Sequence, residues 1–235
     1  MKLLKKKLLF CLSFKPEEYN RYRWLYFCLS EYRRSSVRDA VAGLCQAGFL
    51  DKIIRNNQAL FRLTALGKER FYVPASRWDK FWRLAIIHHC RGNSRSLERD
   101  LEKLGYRRFS RSVYLSPFPL TAAAREKFLA ANRQSSLIFL ETKELEWADN
   151  LKVAAGLWNL DELNRGYTEL TQFCRRQLRS GQGTSGFKRA LNLCFRLKLV
   201  DPGLPRELLG PLWPAKEAAA LFNQLALLNQ NNYEQ

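Results

Sequence analysis

The sequence lacks the features by which most enzymes and membrane proteins are identified. Its 235 residues include two histidines, one methionine and six cysteines. It has no Gly-rich phosphate loop, no serine-nucleophile motif and no paired-carboxylate arrangement. No apolar run approaches the length of a membrane-spanning helix. We therefore predict no catalytic residues and no membrane span.

The cysteines and the first residues favour a reduced, cytoplasmic protein. No two cysteines have Cys-x-x-Cys spacing, and all six lie within apolar patterns, so we expect buried thiols and no metal site. Residues 1–14 resemble a signal peptide in having lysines before a short apolar run. Because no small-residue cleavage site follows that run, we expect a helix of the folded protein there.

Positive charge is abundant and unevenly distributed. The formal net charge is +18, and residues 1–75 contain 15 Lys and Arg against 6 Asp and Glu, which is half of the excess. A positive electrostatic field favours a polyanion as binding partner, and nucleic acid is a better candidate than an anionic membrane. The alternative is an ordinary basic protein or one associated with ribosomes. If nucleic acid is the partner, its contact should lie mainly in the first third of the chain.

The first third has the pattern of a winged helix-turn-helix domain. Apolar residues at helical spacing predict a helix near the start of the chain and a second helix over about residues 20–31. A third helix is predicted to begin after Ser35 or Ser36, either of which can cap it. Gly48 is placed to end this third helix in the left-handed conformation.

The third helix and the hairpin after it form the candidate DNA-binding surface. An inward apolar stripe leaves short polar and cationic side chains facing outward, as on a recognition helix that enters the major groove. Two apolar runs around an Asn-Asn turn predict a hairpin over residues 50–64, which would serve as the wing. The candidate DNA-binding residues are Arg33, Arg34, Ser35, Ser36, Arg38 and Asp39 on the helix and Lys52, Arg55, Asn57 and Arg62 on the wing. A three-helix domain with a solvated basic face is the alternative.

The remaining chain predicts two more domains, so the expected fold class is α+β. Residues 76–145 follow the order strand-helix-strand-strand-helix-strand, which is that of a ferredoxin-like domain. Later apolar residues at helical spacing predict helices near residues 157–178, 187–197 and 214–228. The predicted domains are a winged helix-turn-helix at 1–75, a ferredoxin-like dimerisation domain at 76–145 and a helical domain at 146–235.

Four groups of motifs follow one another along nearly the whole chain. They are Val37-Arg38-x-Ala40-Val41 with Leu44-x-x-x-Gly48-Phe49-Leu50; Phe61-Arg62-Leu63-Thr64-x-x-Gly67; Trp78-Asp79-Lys80-Phe81-Trp82-Arg83-Leu84; and the C-terminal pair Leu157-Trp158-x-Leu160-Asp161-Glu162-Leu163-x-x-x-Tyr167 and Asp201-Pro202-x-Leu204-Pro205-x-Glu207-Leu208-Leu209, ending in Trp213-Pro214. Taken together, these motifs resemble the PaaX-type transcriptional repressors.

The resemblance implies a homodimeric repressor with a winged helix, a ferredoxin-like centre and a helical C-terminal region. Two-fold symmetry would require an inverted-repeat DNA operator. In the best-known members of the family the inducer is an aryl-acetyl coenzyme A thioester. No local motif here fixes a coenzyme A site, so no cofactor is predicted and the effector stays unassigned.

The middle domain also resembles the ferredoxin-like nuclease subunit of CRISPR spacer integration. That family holds a metal with an acidic residue at the end of its first strand, where residues 84–90 contain no carboxylate. Metal-dependent cleavage is therefore disfavoured. A nuclease or other CRISPR-associated nucleic-acid-processing protein, and a structural RNA-binding protein, remain the alternatives. Regulation of CRISPR genes and regulation of aromatic catabolism are equally open.

Three smaller groups of residues have both a structural and a functional interpretation. His88 and His89 adjoin on one strand and should point to opposite faces, which favours packing over a metal site. The aromatic residues within 78–82 are expected at a domain junction rather than stacked on a ligand. The arginines within 175–179 are expected on a solvated helix face rather than around an acidic effector.

Overall fold

The structure, a computed structural model, describes residues 1–14, 17–71, 77–88, 94–122, 126, 137–146, 148–181 and 184–234. These residues form an α+β structure with two small antiparallel sheets, and the α+β class is the one that the sequence predicted. Contacts divide the chain into two compact units, one of Met1–Pro74, Asn164–Val200 and Pro214–Gln235, the other of Ala75–Leu163 and Asp201–Trp213. The division into three consecutive domains stays a prediction.

The N-terminal part of the first unit alternates helices with a three-stranded sheet. Its elements are α1 (Leu3–Leu12), β1 (Asn20–Arg21), α2 (Tyr22–Cys28), α3 (Arg34–Gln46), β2 (Leu50–Arg55), β3 (Gln58–Leu63) and α4 (Ala65–Phe71). The strand order is β1-β3-β2, with both pairs antiparallel. The second helix is shorter than predicted at both ends, since residues 20 and 21 pair with β3 as a strand and the helix already ends at Cys28.

The start of α3 corrects the sequence prediction. The helix begins at Arg34 with Arg33 as its N-cap residue, and no side chain caps it. The amide of Val37 donates to the carbonyl of Arg33 at 3.1 Å, and this first intrahelical bond makes Arg33 the N-cap residue. Ser35 and Ser36 therefore lie in the first turn and are not caps.

The end of α3 follows the prediction. Gly48 has a φ of 72°, which residues with a Cβ rarely adopt. The amide of Gly48 donates to the carbonyl of Cys45, and that of Phe49 donates to the carbonyl of Leu44, both at 3.0 Å. These two bonds form a Schellman motif, which satisfies the last helical carbonyls and turns the chain into β2.

The β2–β3 hairpin closes with the predicted two-residue turn. Asn56 and Asn57 have φ values of 49° and 55°, and Arg55 pairs with Gln58 across the turn. Positive φ at both central positions defines the type I′ turn, whose twist matches that of the flanking strands.

The second unit contains a four-stranded antiparallel sheet. Its main elements are β4 (Trp82–Ile87), α5 (Ser94–Lys103), β5 (Arg107–Arg108), β6 (Val113–Ser116), β7 (Leu137–Thr142) and α6 (Asn150–Trp158). The strand order is β5-β6-β4-β7. Ala85, Tyr114 and Leu137 on one face of the sheet share a core with Leu97 and Leu101 of α5.

Two sequence predictions for this unit fall partly or wholly outside the described residues. The sequence predicts that the second helix in the order of residues 76–145 runs from Thr121, as its cap, to about Asn132; of this range the structure describes residues 121, 122 and 126. The sequence also predicts a linker at residues 73–76, before this domain, and these residues lie outside the described part of the chain.

The C-terminal helices are α7 (Leu160–Ser180), α8 (Thr184–Val200) and α9 (Ala215–Glu234), with a short 3₁₀ turn at Arg206–Leu208. The single helix expected near residues 157–178 is in fact two, because Asn159 adopts a φ of 49° and ends α6. No helix among the described residues is both long enough and apolar enough to cross a membrane.

Within the first unit, α8 and α9 contribute to the same aromatic core as α1 and α2. The ring of Phe10 lies 5.5 Å from that of Phe195 and 6.1 Å from that of Phe222. The ring of Trp24 lies 5.5 Å from that of Phe187. Helices from both ends of the sequence therefore pack together in the helix bundle that contains α3.

A buried cation adds a polar connection inside this unit. The amine of Lys7 in α1 is buried and donates to the carboxylate of Glu31 and to Oδ1 of Asn192, the latter at 2.5 Å. Glu31 stands three residues before α3. The network thus links the segment that leads into α3 to α1 and α8.

Candidate nucleic-acid interface

The two faces of α3 differ sharply in burial. Val37, Ala40, Val41 and Leu44 are buried, at 5% exposure or less. All six residues predicted to contact DNA from this helix are exposed: Arg33, Arg34, Ser35, Ser36, Arg38 and Asp39. The inward stripe and the outward face are those expected from the spacing of apolar residues.

The N-terminal end of α3 concentrates positive charge and free hydrogen-bond donors. The first amides of a helix have no intrahelical partner, and the helix dipole favours an anion there. Arg33 and Arg34 stand at this end, and the guanidinium of Arg34 lies 5.3 Å from the ring centre of Tyr26. Stacking on an aromatic ring limits the directions in which Arg34 points.

The four candidate residues of the hairpin are not equivalent. Lys52, Arg55 and Asn57 are exposed, whereas Arg62 donates to Asp51 at 3.3 Å and lies 4.6 Å from the ring centre of Tyr19. Because Lys52 and Arg55 are three residues apart in β2, they project from opposite faces of the hairpin.

Arg62 belongs to a small hydrogen-bonded cluster. The hydroxyl of Tyr19 donates to Asp51 at 2.6 Å, which lowers the pKa of Asp51 and raises that of Tyr19. Arg62 supports the lowered pKa of Asp51 through its own hydrogen bond and charge. The charge of Arg62 is therefore largely balanced within the protein.

The segment after the hairpin locks it to the helix bundle. Thr64 donates its hydroxyl to the carbonyl of Gly48 at 2.6 Å and accepts from the amide of Gly67 at 3.1 Å. A Cβ on Gly67 would overlap the carbonyl oxygen of Phe49. The motif Phe61-Arg62-Leu63-Thr64-x-x-Gly67 thus has a structural basis in one helix cap and one close backbone approach.

One cation near the hairpin was missed by the sequence analysis. Arg21 ends β1, pairs with Leu60 of β3 and is exposed. A two-residue strand has no periodic signal, so only the pairing with a segment some forty residues later reveals where Arg21 lies. Together with Arg55 it lines a polar cleft.

The aromatic motif of the second unit has a structural role. The indole of Trp78 donates to the carbonyl of Phe81 at 3.1 Å, and that of Trp82 donates to Asn150 at 2.8 Å. The ring of Trp82 stacks on that of Trp158 at 6.3 Å between centroids. These contacts join β4 to α6 within the unit and support packing rather than ligand stacking.

The second C-terminal motif is likewise built around buried residues and local turns. Leu204 and Leu208 are each 1% exposed. The amide of Gly203, at a φ of 64°, donates to the side chain of Asp201 at 2.8 Å. The carboxylate of Glu207 accepts from the amide of Trp78 at 3.5 Å, so two separate motifs of the sequence meet in the second unit.

The described part of the chain offers no cluster of three or more His, Cys, Asp or Glu side chains suited to a metal. Of the two adjoining histidines, His88 is described and His89 lies outside the described residues. Among the arginines of α7, Arg175 forms an ion pair with Glu217. This pair agrees with a solvated helix face.

Comparisons with known proteins give one family and one fold. Residues 158–233 match the family model described as the PaaX-like protein C-terminal domain. Among solved structures, the uncharacterized protein Rv0674 from Mycobacterium tuberculosis is similar over 97% of each chain, with a TM-score of 0.58 and 17% sequence identity. At this identity the likeness concerns the fold alone. No curated protein sequence gives a significant match.

The family match falls on the region that carries the two C-terminal motifs. Trp158, Leu163 and Tyr167 of the first motif are buried, and the second motif lies within the same matched range. The resemblance to the PaaX type is thereby confirmed for this part of the sequence. Residues 158–233 are therefore similar to the PaaX-like protein C-terminal domain.

Proposed function

We propose that the protein is a homodimeric, sequence-specific DNA-binding repressor of the PaaX type, which binds an inverted-repeat operator through α3 and the β2–β3 wing. The observation that carries the proposal is the division of α3 into a buried stripe and an exposed polar and cationic face. A helix held in this way presents its N-terminal side chains to a groove without losing its own packing.

The element order supports a winged helix-turn-helix domain. Two helices joined by a short turn, α2 and α3, are followed by a hairpin whose second strand, β3, pairs with a short strand that precedes α2. In this arrangement α3 is the recognition helix and the β2–β3 hairpin is the wing.

The chemistry of the exposed face fits a duplex. Arg38 is suited to paired hydrogen bonds with O6 and N7 of guanine, and Ser35 and Ser36 are short enough to let the helix approach the bases. Arg33 and Arg34, with the first amides of α3, suit backbone phosphates. Lys52 and Asn57 on the wing suit phosphate or minor-groove contacts.

The second unit supports a ferredoxin-like dimerisation domain. The sheet order β5-β6-β4-β7 corresponds to 2-3-1-4 when the four strands are numbered along the chain. This is the arrangement of a split βαβ fold. On the face opposite α5, Ile138 and Leu140 of edge strand β7 are 46% and 50% exposed, and they stand opposite Ile86 and Leu84 of β4. An apolar patch at a sheet edge suits a second copy of the chain.

A symmetric dimer sets the geometry of the operator. Two copies of α3 would enter major grooves about 34 Å, or a multiple of it, apart along an inverted repeat. An effector that alters the spacing of the two recognition helices would release the DNA. A repressor acts in the cytoplasm, at the nucleoid. An acyl coenzyme A effector, of the kind that the family resemblance implies, would be available to it there.

The comparisons give no support to the nuclease alternative. A cleavage assay with labelled DNA and RNA in the presence of Mg²⁺ or Mn²⁺ distinguishes the two: a repressor leaves the strands intact, and product formation would favour the enzyme.

The proposed function is tested by recovering the DNA that the protein binds. Genome-wide pull-down of protein-bound DNA should give a common inverted repeat near a small number of promoters. The affinity for that repeat should exceed the affinity for a shuffled duplex by at least roughly 1,000-fold at physiological salt. Equal affinity for the two duplexes, or recovery of random fragments, would overturn sequence-specific repression.

A further inference from the structure

The outer face of the three-stranded sheet contains a polar cleft between β1 and the wing. Its volume is about 350 Å³, and since one water occupies roughly 30 Å³ of liquid, it has room for a phosphate group with its neighbouring sugar oxygens. The cleft is lined by Tyr19, Arg21, Arg55, Asn56, Gln58 and Leu60.

Strand register places both arginines on this outer face. Arg21 stands opposite Leu60, and Leu60 stands opposite Ile53. Residues directly opposite each other share a face, and so do residues two apart along a strand, which brings Arg55 to the same side as Ile53. The neighbouring residue Asn20 is 2% exposed and points the other way, into the core.

The charges on this face are not all balanced. Arg62 shares the face but is engaged by Asp51 and Tyr19. In contrast, Arg21 and Arg55 are exposed, and their side chains have no ion-pair or hydrogen-bond partner within the described part of the chain. Burial of an anion between two unpaired guanidinium groups would satisfy both at once.

The lining of the cleft selects an oxyanion. Guanidinium groups and the side-chain amides of Asn56 and Gln58 supply N–H donors, while none of the residues that line the cleft is a carboxylate. Paired N–H donors in a fixed fork match the geometry of phosphate oxygens. Because the side-chain amides of Asn56 and Gln58 are uncharged, the cleft suits the single negative charge of a phosphodiester.

We infer that this cleft holds one phosphodiester of the DNA backbone, clamped between Arg21 and Arg55. The inference rests on the proposed function, because a duplex that engages α3 and the wing supplies the phosphate. Arg21 is the N-cap residue of α2 and Arg55 is the last residue of β2. The clamp therefore fixes the wing against the helix pair on the DNA and positions α3 without reading sequence.

The salt dependence of binding to a random-sequence duplex tests the clamp. Each phosphate contact contributes roughly one unit to the slope of log K against log salt. The double variant Arg21→Ala/Arg55→Ala should make that slope less steep by about one unit. Because both arginines hold the same phosphate, the losses of binding free energy in the two single variants should add up to more than the loss in the double variant. Arg176→Ala, which removes one exposed cation from α7, should leave the slope unchanged.

Other outcomes of this experiment are decisive. The clamp would be overturned, with DNA binding left in place, if the double variant had the same salt slope as Arg176→Ala. It would also be overturned if the free-energy losses of the single variants were additive and the double variant reduced the steepness of the slope by about two units. A wild-type protein that binds no duplex would overturn the proposed function and the clamp together. Unchanged circular dichroism and melting temperature of the variants exclude a folding defect.

Chemical protection identifies the source of the phosphate. Phenylglyoxal modifies accessible arginines, and peptide mass spectrometry measures each one. Duplex DNA should protect Arg21 and Arg55 and leave Arg176 reactive, and inorganic phosphate at equal ionic strength should protect none of them. Protection by inorganic phosphate would instead assign the cleft to the free anion and contradict the DNA contact.

Discussion

The guanidinium of Arg83 and the carboxylate of Asp79 form a two-point ion pair at the entrance to β4. Nη1 of Arg83 donates to Oδ1 of Asp79 at 2.9 Å, and Nη2 donates to Oδ2. Nη1 also reaches the carbonyl of Pro117 at 3.0 Å, and Nε reaches Glu141 at 3.3 Å. Arg83 is 5% exposed, so a buried cation joins three separate segments of the second unit.

Asp79→Asn should destabilise the second unit. The change removes one ionic partner from a buried arginine, which typically costs about 1.5–3 kcal/mol for a hydrogen bond to a charged group. Urea titration at neutral pH gives the free energy of unfolding and thus the size of this loss. Glu144→Gln, at an exposed glutamate of the same unit, is the matched control and should have little effect. Equal stabilities of the two variants would contradict this role of the pair.

The same variant changes the response to acid. Hydrogen bonds from Arg83 hold the pKa of Asp79 below its ordinary value of 3.8, so the pair contributes its full stability above about pH 4. That contribution is lost as the pH falls through the lowered pKa of the folded state. Asp79→Asn should therefore lose less stability than the wild type between neutral pH and acid. An identical pH profile for both proteins would show that Asp79 titrates normally.

Substitution of Gly67, with Gly156 as the control position, tests the close packing of the segment that follows the wing. Gly67→Ala should destabilise the first unit by about 1–3 kcal/mol or more, because the new Cβ meets the carbonyl of Phe49 and overpacking has that cost. Gly156→Ala, in the exposed middle of α6 with open space around it, should stabilise by about 0.5–1 kcal/mol. Thermal melting of both variants measures the difference, and a neutral Gly67→Ala would rule out the close approach.

The cysteines should differ in reactivity. Burial raises the pKa of Cys194 to about 12 and that of Cys174 to about 11, and Cys11 and Cys28 are also buried. In a Cys90→Ser background, Ellman's reagent at pH 8 should therefore modify Cys45 first, because it alone of these five is partly exposed and exposed thiols react faster than buried ones. Additional Cys45→Ser should abolish the fast phase. A fast phase that persists would contradict the burial of the other four.

The apolar patch on β7 should govern the oligomeric state. The double variant Ile138→Ser/Leu140→Ser removes two exposed apolar side chains per copy, four in a symmetric dimer, and should shift the protein from dimer to monomer. Size-exclusion chromatography with light scattering gives the mass. Leu212→Ser, at a leucine that is 88% exposed elsewhere in the unit, should remain a dimer. A dimeric double variant would place the interface elsewhere.

Local chemistry explains what the sequence could predict. The Asn56-Asn57 turn and the left-handed Gly48 follow from residues that tolerate positive φ. The buried stripe of α3 follows from the spacing of Val37, Val41 and Leu44. Such features depend on a few neighbouring residues, so they are visible before the chain is folded.

The features that the sequence missed depend on distant partners. β1 exists because Asn20 and Arg21 pair with Phe61 and Leu60, and without that pairing Arg21 has no assigned place. The motif that contains Asp79 and Arg83 is visible in the sequence, but the contact of Arg83 with Glu141 joins strands some sixty residues apart. The break at Asn159 required a left-handed residue that is not glycine, which occurs too rarely to be expected.

The proposed function requires α3 to read bases through Arg38, and operators with single base-pair substitutions test this requirement. The operator recovered by pull-down is altered one base pair at a time, and wild-type and Arg38→Ala affinities are compared by fluorescence anisotropy, with Gln46→Ala at the far end of α3 as control. Arg38→Ala should lose about 1–3 kcal/mol on the operator and lose discrimination at one G·C pair in each half-site. Unchanged operator affinity, or an equal loss on every duplex, would contradict base readout by this helix.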